Sequence, residues 1–188
     1  MDSIQIKRGE ALKIIKSVLT RTKTSMKILY LVRHAKSSWK DQSLNDIERP
    51  LNKRGKRDAP AMGRFLKEKN ILPDIIISSP AVRAEVTTKI ISENLSYPIN
   101  RIKYSDDIYD ADTTSLFKVV RRIKDKYDSA MMTGHNPGLT NFANVLTNLR
   151  VDNIPTCGIL CVKLAIKSWL NITENCGSVI FFKFPKNL

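Results

Sequence analysis

The sequence predicts a three-layer α/β/α protein whose mostly parallel central sheet has an antiparallel strand at its edge. Short runs of Ile, Val, Leu and Phe alternate with amphipathic helical patterns over most of the chain. This alternation is typical of a parallel sheet that is covered by helices on both faces. The last two apolar runs have no long helical pattern between them. One of these two strands is therefore expected to run antiparallel at an edge.

Five apolar segments are predicted to form the strands of this sheet. They are rich in β-branched and aromatic residues, which favour extended backbone, and polar or turn-forming residues bound them. In chain order the predicted strands are 27–32, 74–78, 129–133, 159–164 and 179–184.

Four helices are predicted from apolar residues that recur at intervals of three and four. The four apolar stripes are Ala59, Met62, Gly63 and Leu66; Val82, Val86 and Ile90; Leu116, Val119, Val120, Ile123 and Tyr127; and Leu139, Phe142, Ala143 and Leu146. Thr113 and Thr114 precede the third stripe. They are predicted to cap that helix, because a hydroxyl oxygen can accept a hydrogen bond from a free backbone N–H of the first turn.

The chain is predicted to form one domain, since 188 residues with 42% hydrophobic content suffice for a substantial core. The formal net charge is +14, and residues 1–27 contribute to it with seven Lys or Arg residues against two acidic ones. Residues 1–25 are predicted to be a basic N-terminal extension or a mis-assigned start, with Met26 as the true initiator. Residues 26–188 are predicted to be the functional domain.

Several locations and partners are disfavoured by composition. No apolar run reaches the roughly 18 residues of a membrane span, and the N-terminal segment lacks the continuous apolar core of a secretory signal. The three cysteines are odd in number and lack CxxC spacing, which favours reduced thiols and a cytoplasmic protein without a metal site. Basic residues are spread over helix faces without interleaved aromatic side chains, so nucleic-acid binding is not expected.

Arginine and histidine side chains follow three of the predicted strands. Arg33 and His34 come directly after the first strand, Arg83 lies in the first turn of the helix after the second, and His135 follows the third. In open α/β sheets, ligands bind beyond the carboxyl ends of the strands. We therefore expect these side chains to converge, and the fact that they include both histidines of the chain disfavours a chance arrangement.

This set of side chains suits phosphoryl transfer. Two guanidinium groups match a phosphoryl dianion because they offer planar pairs of N–H donors and stay charged. A neutral imidazole can act as the nucleophile, and a protonated one can stabilise the charge of the transition state. A phosphohistidine intermediate is predicted, with no metal and no other cofactor, because the arginines would repel a cation.

Six segments resemble the histidine phosphatase superfamily, which includes the phosphoglycerate mutases and acid phosphatases. In the order of the family they are YLVRHAKSSW at 30–39, ERPLNKRG at 48–55, SSPAVRA at 78–84, TGHNPGL at 133–139, PTCG at 155–158 and FFKFPKNL at 181–188. Within the superfamily the chain is most similar to the small phosphohistidine phosphatases of the SixA type. The resemblance implies that residues 26–188 are a histidine phosphatase domain with a phosphoglycerate mutase-like fold.

The resemblance also implies a role for each residue of the cluster. His34 would be the phosphorylated nucleophile, Arg33 and Arg83 would hold the phosphate, and His135 would complete the pocket. The implied activity is a metal-independent phosphohistidine phosphatase acting on a phosphorylated protein, with a monomer favoured. The alternative is a broad small-molecule phosphomonoesterase of the same fold, acting on small phosphate esters.

The general acid of the family has no certain counterpart in this sequence. Many members carry a carboxylic acid that protonates the leaving group, and one branch places it directly after the second histidine, where this chain has Asn136. In the other branch the acid lies between the second strand and the second histidine. Asp107 and Asp106 are the candidates there, with Asp110 and Asp112 as further acidic residues of the same segment.

Three other readings of the sequence remain open but are disfavoured. The DADTT segment at 110–114 matches the DxDxT signature of metal-dependent aspartyl phosphatases, yet it lies in mid-chain rather than after the first strand. A helix-capping loop is the better prediction for it. The high charge would suit a nucleic-acid-binding module, and a catalytically inactive interaction domain is the remaining class. The presence of His34, His135, Arg33 and Arg83 argues against an inactive domain.

Overall fold

A computed structural model describes residues 26–188, and their secondary structure follows the predicted alternation. The strands are β1 Lys27–Arg33, β2 Ile75–Ser78, β3 Lys103–Tyr104, β4 Ser129–Gly134, β5 Ile159–Leu164 and β6 Gly177–Lys183. The helices are α1 Lys53–Glu68, α2 Val82–Asn94, α3 Thr113–Arg121 and α4 Gly138–Leu146. The predicted N-terminal extension, residues 1–25, lies outside the described residues.

The strands form one sheet in the order β3-β2-β4-β1-β5-β6. The first four of these are parallel to one another, β5 pairs antiparallel with β1, and the edge strand β6 pairs antiparallel with β5. The predicted mostly parallel sheet with antiparallel pairing at its edge is therefore confirmed. The strand that runs against all the others is β5, which lies next to the edge strand β6. Strand β3 was not predicted, because its two exposed residues are too few for an alternating pattern.

The two faces of the sheet carry separate apolar cores, as a three-layer fold requires. Leu29 and Leu31 of β1 pack with Phe142 of α4 on one face, where α3 also lies. Val32 of β1 packs with Met62 of α1 on the other face, where α2 contributes Ile91. Successive residues of a strand point to opposite faces, so a buried strand such as β1 must be apolar on both. None of the helices within 26–188 is long and apolar enough to span a membrane.

Helix α2 exists where it was predicted, but its most buried face is not the predicted stripe. Val86 and Ile90 are only half-buried, whereas Thr87 and Thr88 are fully buried. The threonine hydroxyls tolerate burial because they have hydrogen-bond partners. Thr87 Oγ1 accepts from the backbone N–H of Ala35, and Thr88 Oγ1 donates to Ser78 Oγ. This orientation turns the face that carries the threonines towards the ends of β1 and β2.

The DADTT segment caps helix α3, as predicted for it, although through a different residue. The cap is Asp112, whose side chain accepts from the backbone N–H of Ser115, and not Thr113 or Thr114. The loop before this cap lies against the start of α4. A Cβ atom on Gly138 would lie 1.8 Å from the carbonyl oxygen of Ala111, so only glycine allows this close approach.

Candidate active site

The predicted cluster forms because β2, β4 and β1 are adjacent and parallel. Their carboxyl ends meet at a pocket with a volume of about 530 Å³. Arg33, His34, Arg83 and His135 all line it, as the sequence predicts. The other lining residues are Lys36, Ser37, Trp39, Asp46, Arg49, Tyr109, Asp110, Asn136 and Thr156.

His34 presents a free ring nitrogen as a neutral imidazole. Its side chain is buried, and Nδ1 lies 2.8 Å from the backbone carbonyl oxygen of Ala35. Because a carbonyl oxygen can only accept, Nδ1 carries the proton and the lone pair is on Nε2. Burial is the main cause that lowers the pKa of His34 to about 4; the hydrogen bond to Ala35 acts against the shift, and the nearby arginines contribute to it. His34 is therefore uncharged and nucleophilic at neutral pH.

His135 lies beside His34, with 5.0 Å between the ring centroids. Its Nε2 is 2.8 Å from the Ser79 hydroxyl oxygen, and its buried Nδ1 has no hydrogen-bond partner among the described residues. Burial is the main cause that lowers the pKa of His135 to about 3, and repulsion from a protonated His34 and from Arg83 contributes to the same shift. The second imidazole is therefore neutral in the empty pocket. A bound dianion would favour its protonated form, because an opposite charge nearby raises the pKa of an imidazole.

These two buried imidazoles should make the fold sensitive to mild acid. Their pKa values of about 4 and about 3 lie below the ~6.5 of an exposed imidazole. Below pH ~6.5 the unfolded chain takes up protons that the folded chain does not bind, so the free energy of unfolding falls as pH decreases towards 4. Each histidine contributes at most roughly 1.4 kcal/mol per pH unit. Urea denaturation between pH 7 and 4.5 measures this slope. If the free energy of unfolding of a His34→Gln, His135→Gln double variant depends on pH as steeply as that of wild type, the two histidines are not the cause of the acid sensitivity.

Arg33 connects the pocket to the loop before β5. Its Nη1 donates to Asn153 Oδ1 at 2.8 Å and to the carbonyl oxygen of Ile154 at 2.7 Å. Its Nε is buried and has no hydrogen-bond partner within residues 26–188. A buried guanidinium N–H without an acceptor is costly. An anion bound between Arg33 and the histidines would satisfy it.

Arg83 is held by a carboxylate that the sequence analysis did not single out. Its Nη2 donates to Asp46 Oδ2 at 2.7 Å, and its Nη1 donates to the Asp46 carbonyl oxygen at 2.5 Å. The same carboxylate accepts from Arg49 Nη1 at 2.6 Å and from the Tyr109 hydroxyl at 2.9 Å. Partial burial would raise the pKa of Asp46, but these hydrogen bonds outweigh it and lower the pKa to about 2. Asp46 is therefore ionised and fixes the direction of Arg83.

Arg49 adds a third guanidinium group to the pocket. It is buried, its Nη2 donates to Ser37 Oγ at 2.7 Å, and its Nε donates to the Ser38 carbonyl oxygen at 3.1 Å. The exposed ring of Trp39 stacks on it at the rim. Arg49 lies within ERPLNKRG, one of the segments that carry the family resemblance, and this position could have identified it as a residue of the pocket.

The two predicted acid candidates are not in the pocket, which corrects the sequence-based expectation. Asp106 and Asp107 are exposed, and the Asp107 carboxylate pairs with Arg122 on the surface. They lie in a short 3-10 turn that buries Ile108 in the core, and this turn directs the two carboxylates outwards. The carboxylates that line the pocket are Asp46 and Asp110.

Comparison with known proteins supports the resemblance found in the sequence. Residues 29–131 match the model of the histidine phosphatase superfamily (branch 1). An uncharacterised chloroplastic protein of Arabidopsis thaliana is 30% identical over 149 residues, which cover 75% of this chain and 68% of that protein.

Solved structures confirm the phosphoglycerate mutase-like fold. The SixA protein of Agrobacterium tumefaciens superposes with a TM-score of 0.72 at 24% identity, covering 85% of this chain and 98% of that one. The protein histidine phosphatase SixA complexed with tungstate gives a TM-score of 0.73 at 18% identity, with the same coverage of 85% and 98%. Because the family model matches more than half of this chain, the chain belongs to the histidine phosphatase superfamily.

Proposed function

We propose that the protein is a metal-independent phosphatase that forms a phosphohistidine intermediate on His34 and acts on phosphohistidine carried by a protein. The observation that carries this proposal is the neutral His34 imidazole, with its Nε2 lone pair free, in a pocket that also holds Arg33 and Arg83. The SixA neighbour of similar fold is complexed with tungstate, an oxyanion, and this supports the proposal that the present protein binds a phosphoryl group. The domain that performs this reaction is proposed to be residues 26–188.

In the first step, His34 Nε2 attacks the phosphorus atom while the guanidinium groups of Arg33 and Arg83 hold the phosphoryl oxygens. The bond between phosphorus and the substrate nitrogen breaks, and the leaving nitrogen keeps the electron pair. His34 becomes a phosphorylated imidazolium whose Nδ1–H still donates to Ala35. Once the dianion is bound, His135 gains a proton and stabilises the equatorial oxygens.

In the second step, water attacks the phosphorus atom of phosphorylated His34. The bond to Nε2 breaks, the electron pair returns to that nitrogen, and inorganic phosphate forms. No redox change and no co-reactant other than water is needed. Lys36 and Arg49 line the pocket together with the two phosphate-binding arginines, and this concentration of positive charge would repel a metal cation.

The proposed preference for phosphohistidine rests on the leaving group. An alkoxide is a strongly basic leaving group, so a general acid that protonates it raises the rate by roughly 10²–10⁴-fold. An imidazole that is protonated on its other nitrogen leaves as a neutral ring without such an acid. Asn136 cannot supply a proton in this way, and its side chain donates to Asn153 Oδ1 and to the Ile154 carbonyl oxygen. Asp46, with a pKa of about 2, is ionised at neutral pH.

A comparison of three substrates tests this preference. We expect kcat/KM for a phosphohistidine peptide and for an aryl phosphate to exceed that for a sugar phosphate by about 10²-fold or more. An Asp110→Asn variant should leave turnover of the phosphohistidine peptide unchanged. Equal or better turnover of the sugar phosphate would overturn the substrate assignment.

A broad small-molecule phosphomonoesterase is the second candidate function. It is favoured by Asp110, a carboxylate that lines the pocket and could protonate an alkoxide. In that case the Asp110→Asn variant would lose sugar-phosphate turnover selectively. The cytoplasmic location, the monomeric state and the lack of nucleic-acid binding stay predictions from the sequence.

A further inference from the structure

A second cavity of about 370 Å³ adjoins the catalytic pocket and shares Arg33, Lys36 and Thr156 with it. We call it the basic annex. Its remaining lining residues come from helix α1, from the loop before β5 and from the segment after β6: Arg54, Arg57, Asp58, Asn153, Pro155, Phe184, Pro185 and Lys186. The two cavities therefore meet at Arg33, one of the two arginines proposed to hold the phosphoryl group.

The basic annex has a large excess of positive charge. Five of its lining residues are cationic, and Asp58 is its single carboxylate. The Asp58 side chain is only 7% exposed and is already paired with Arg57 at 2.8 Å and with Arg54 at 3.7 Å. A concave surface lined by one sign of charge concentrates counter-ions and anionic ligands. The annex is therefore suited to an anion.

The boundary between the two cavities offers donors that an anion could use. Lys36, like Arg33, lines both cavities. Arg54 Nη2 donates to Thr156 Oγ1 at 2.8 Å, so its guanidinium lies at the shared wall. An anionic group in the annex would then lie close to a phosphoryl group bound at His34.

We propose that the basic annex binds a second anionic group of the substrate, a carboxylate or a phosphoryl group carried next to the transferred phosphoryl group. This proposal rests on the proposed function for the position of the reacting phosphoryl group. In a protein substrate the second anion would be an acidic side chain near the phosphohistidine. In a small substrate it would be a second phosphoryl or carboxylate group.

Arg57→Gln is the informative variant. The Arg57 side chain is 75% exposed, and within residues 26–188 it bonds only to the adjacent Asp58, so its replacement should preserve the fold. Arg64→Gln is the matched control, because Arg64 is an exposed arginine of the same helix that lines neither the pocket nor the annex.

Two pairs of substrates separate the sources of the anion. The first kind of pair consists of two phosphohistidine peptides that differ only in carrying Glu or Gln at one position. One such pair is made for each position from one to four residues away from the phosphohistidine. The other pair consists of aryl phosphates with and without a second phosphoryl group. Wild type and Arg64→Gln should prefer the more anionic member of at least one pair by about tenfold in kcat/KM, as expected for a charge-assisted contact. In Arg57→Gln that preference should fall to about twofold or less.

The outcomes distinguish this proposal from the proposed function. Hydrolysis of the plain aryl phosphate with no preference in either pair would overturn the basic annex alone, as would a preference that survives in Arg57→Gln. If no substrate is hydrolysed, the proposed function fails, and the proposal for the basic annex is then tested by measuring the binding of anions. Pyrophosphate should bind wild type more tightly than inorganic phosphate in calorimetry, and Arg57→Gln should lose this difference. Equal affinities of the two anions for wild type would contradict the annex.

Discussion

His34→Ala should lower kcat/KM by about 10³-fold or more, because no other group in the pocket can take over covalent catalysis at this position. The structure strengthens the expectation from the sequence. The Nε2 lone pair of His34 is free, since Nδ1 donates to Ala35, whereas the neighbouring His135 has its Nε2 against the Ser79 hydroxyl. Steady-state kinetics with an aryl phosphate, together with circular dichroism to verify the fold, measure the effect.

Asp110→Asn is the matched control for this substitution. Asp110 lines the same pocket and opens the DADTT segment, so it would be the nucleophile of a metal-dependent aspartyl phosphatase. We expect this variant to retain aryl phosphatase activity and EDTA to have no effect on wild type. An active His34→Ala enzyme, or an inactive Asp110→Asn enzyme that also needs metal, would contradict the proposed mechanism.

Arg83→Lys should lower kcat/KM by about 10²-fold, because an ammonium group cannot reproduce the planar, two-pronged contact of a guanidinium. In the proposed mechanism, Arg83 contacts both Asp46 and the phosphoryl group. Two of its nitrogens already bind the carboxylate and the carbonyl oxygen of Asp46, and its remaining N–H groups are available to the phosphoryl oxygens. A lysine that keeps the ion pair with Asp46 would lose the phosphate contact.

The control for Arg83→Lys is Arg122→Lys. Arg122 also pairs with an aspartate, Asp107, but on the surface and away from the pocket. Its replacement should leave the kinetics within about twofold of wild type, as expected for an exposed ion pair. Normal kinetics in Arg83→Lys would remove Arg83 from the phosphate site.

Much of the fold could be predicted because its strands are buried and its helices are amphipathic. Strand β5 was predicted with its observed bounds, Ile159–Leu164, since nearly all of its side chains are buried. The convergence of Arg33, His34, Arg83 and His135 followed from one rule about the ends of parallel strands. That rule needed no side-chain detail, because Arg33 ends β1, His34 and His135 directly follow β1 and β4, and Arg83 lies in the first turn of α2.

Other features depended on contacts that local patterns do not encode. Asp46 opens a short 3-10 turn, Asp46–Glu48, in a sequence segment without periodicity, and it acts on Arg83, which is 37 residues away in sequence. Asp106 and Asp107 were reasonable acid candidates by position, but a single turn around Ile108 directs them outwards. Thr87 is a polar residue on the buried face of α2, which a hydrophobicity pattern could not predict.

The identity of the phosphorylated residue tests the central claim most directly. Wild-type protein mixed briefly with a radiolabelled phosphohistidine peptide or aryl phosphate, then quenched in alkaline detergent, should carry label on the peptide that contains His34. That label should survive alkali and be released by acid, and His34→Ala protein should carry none. A label that survives acid and is lost in alkali, as an aspartyl phosphate would be, or a label on any residue other than His34, would contradict the account.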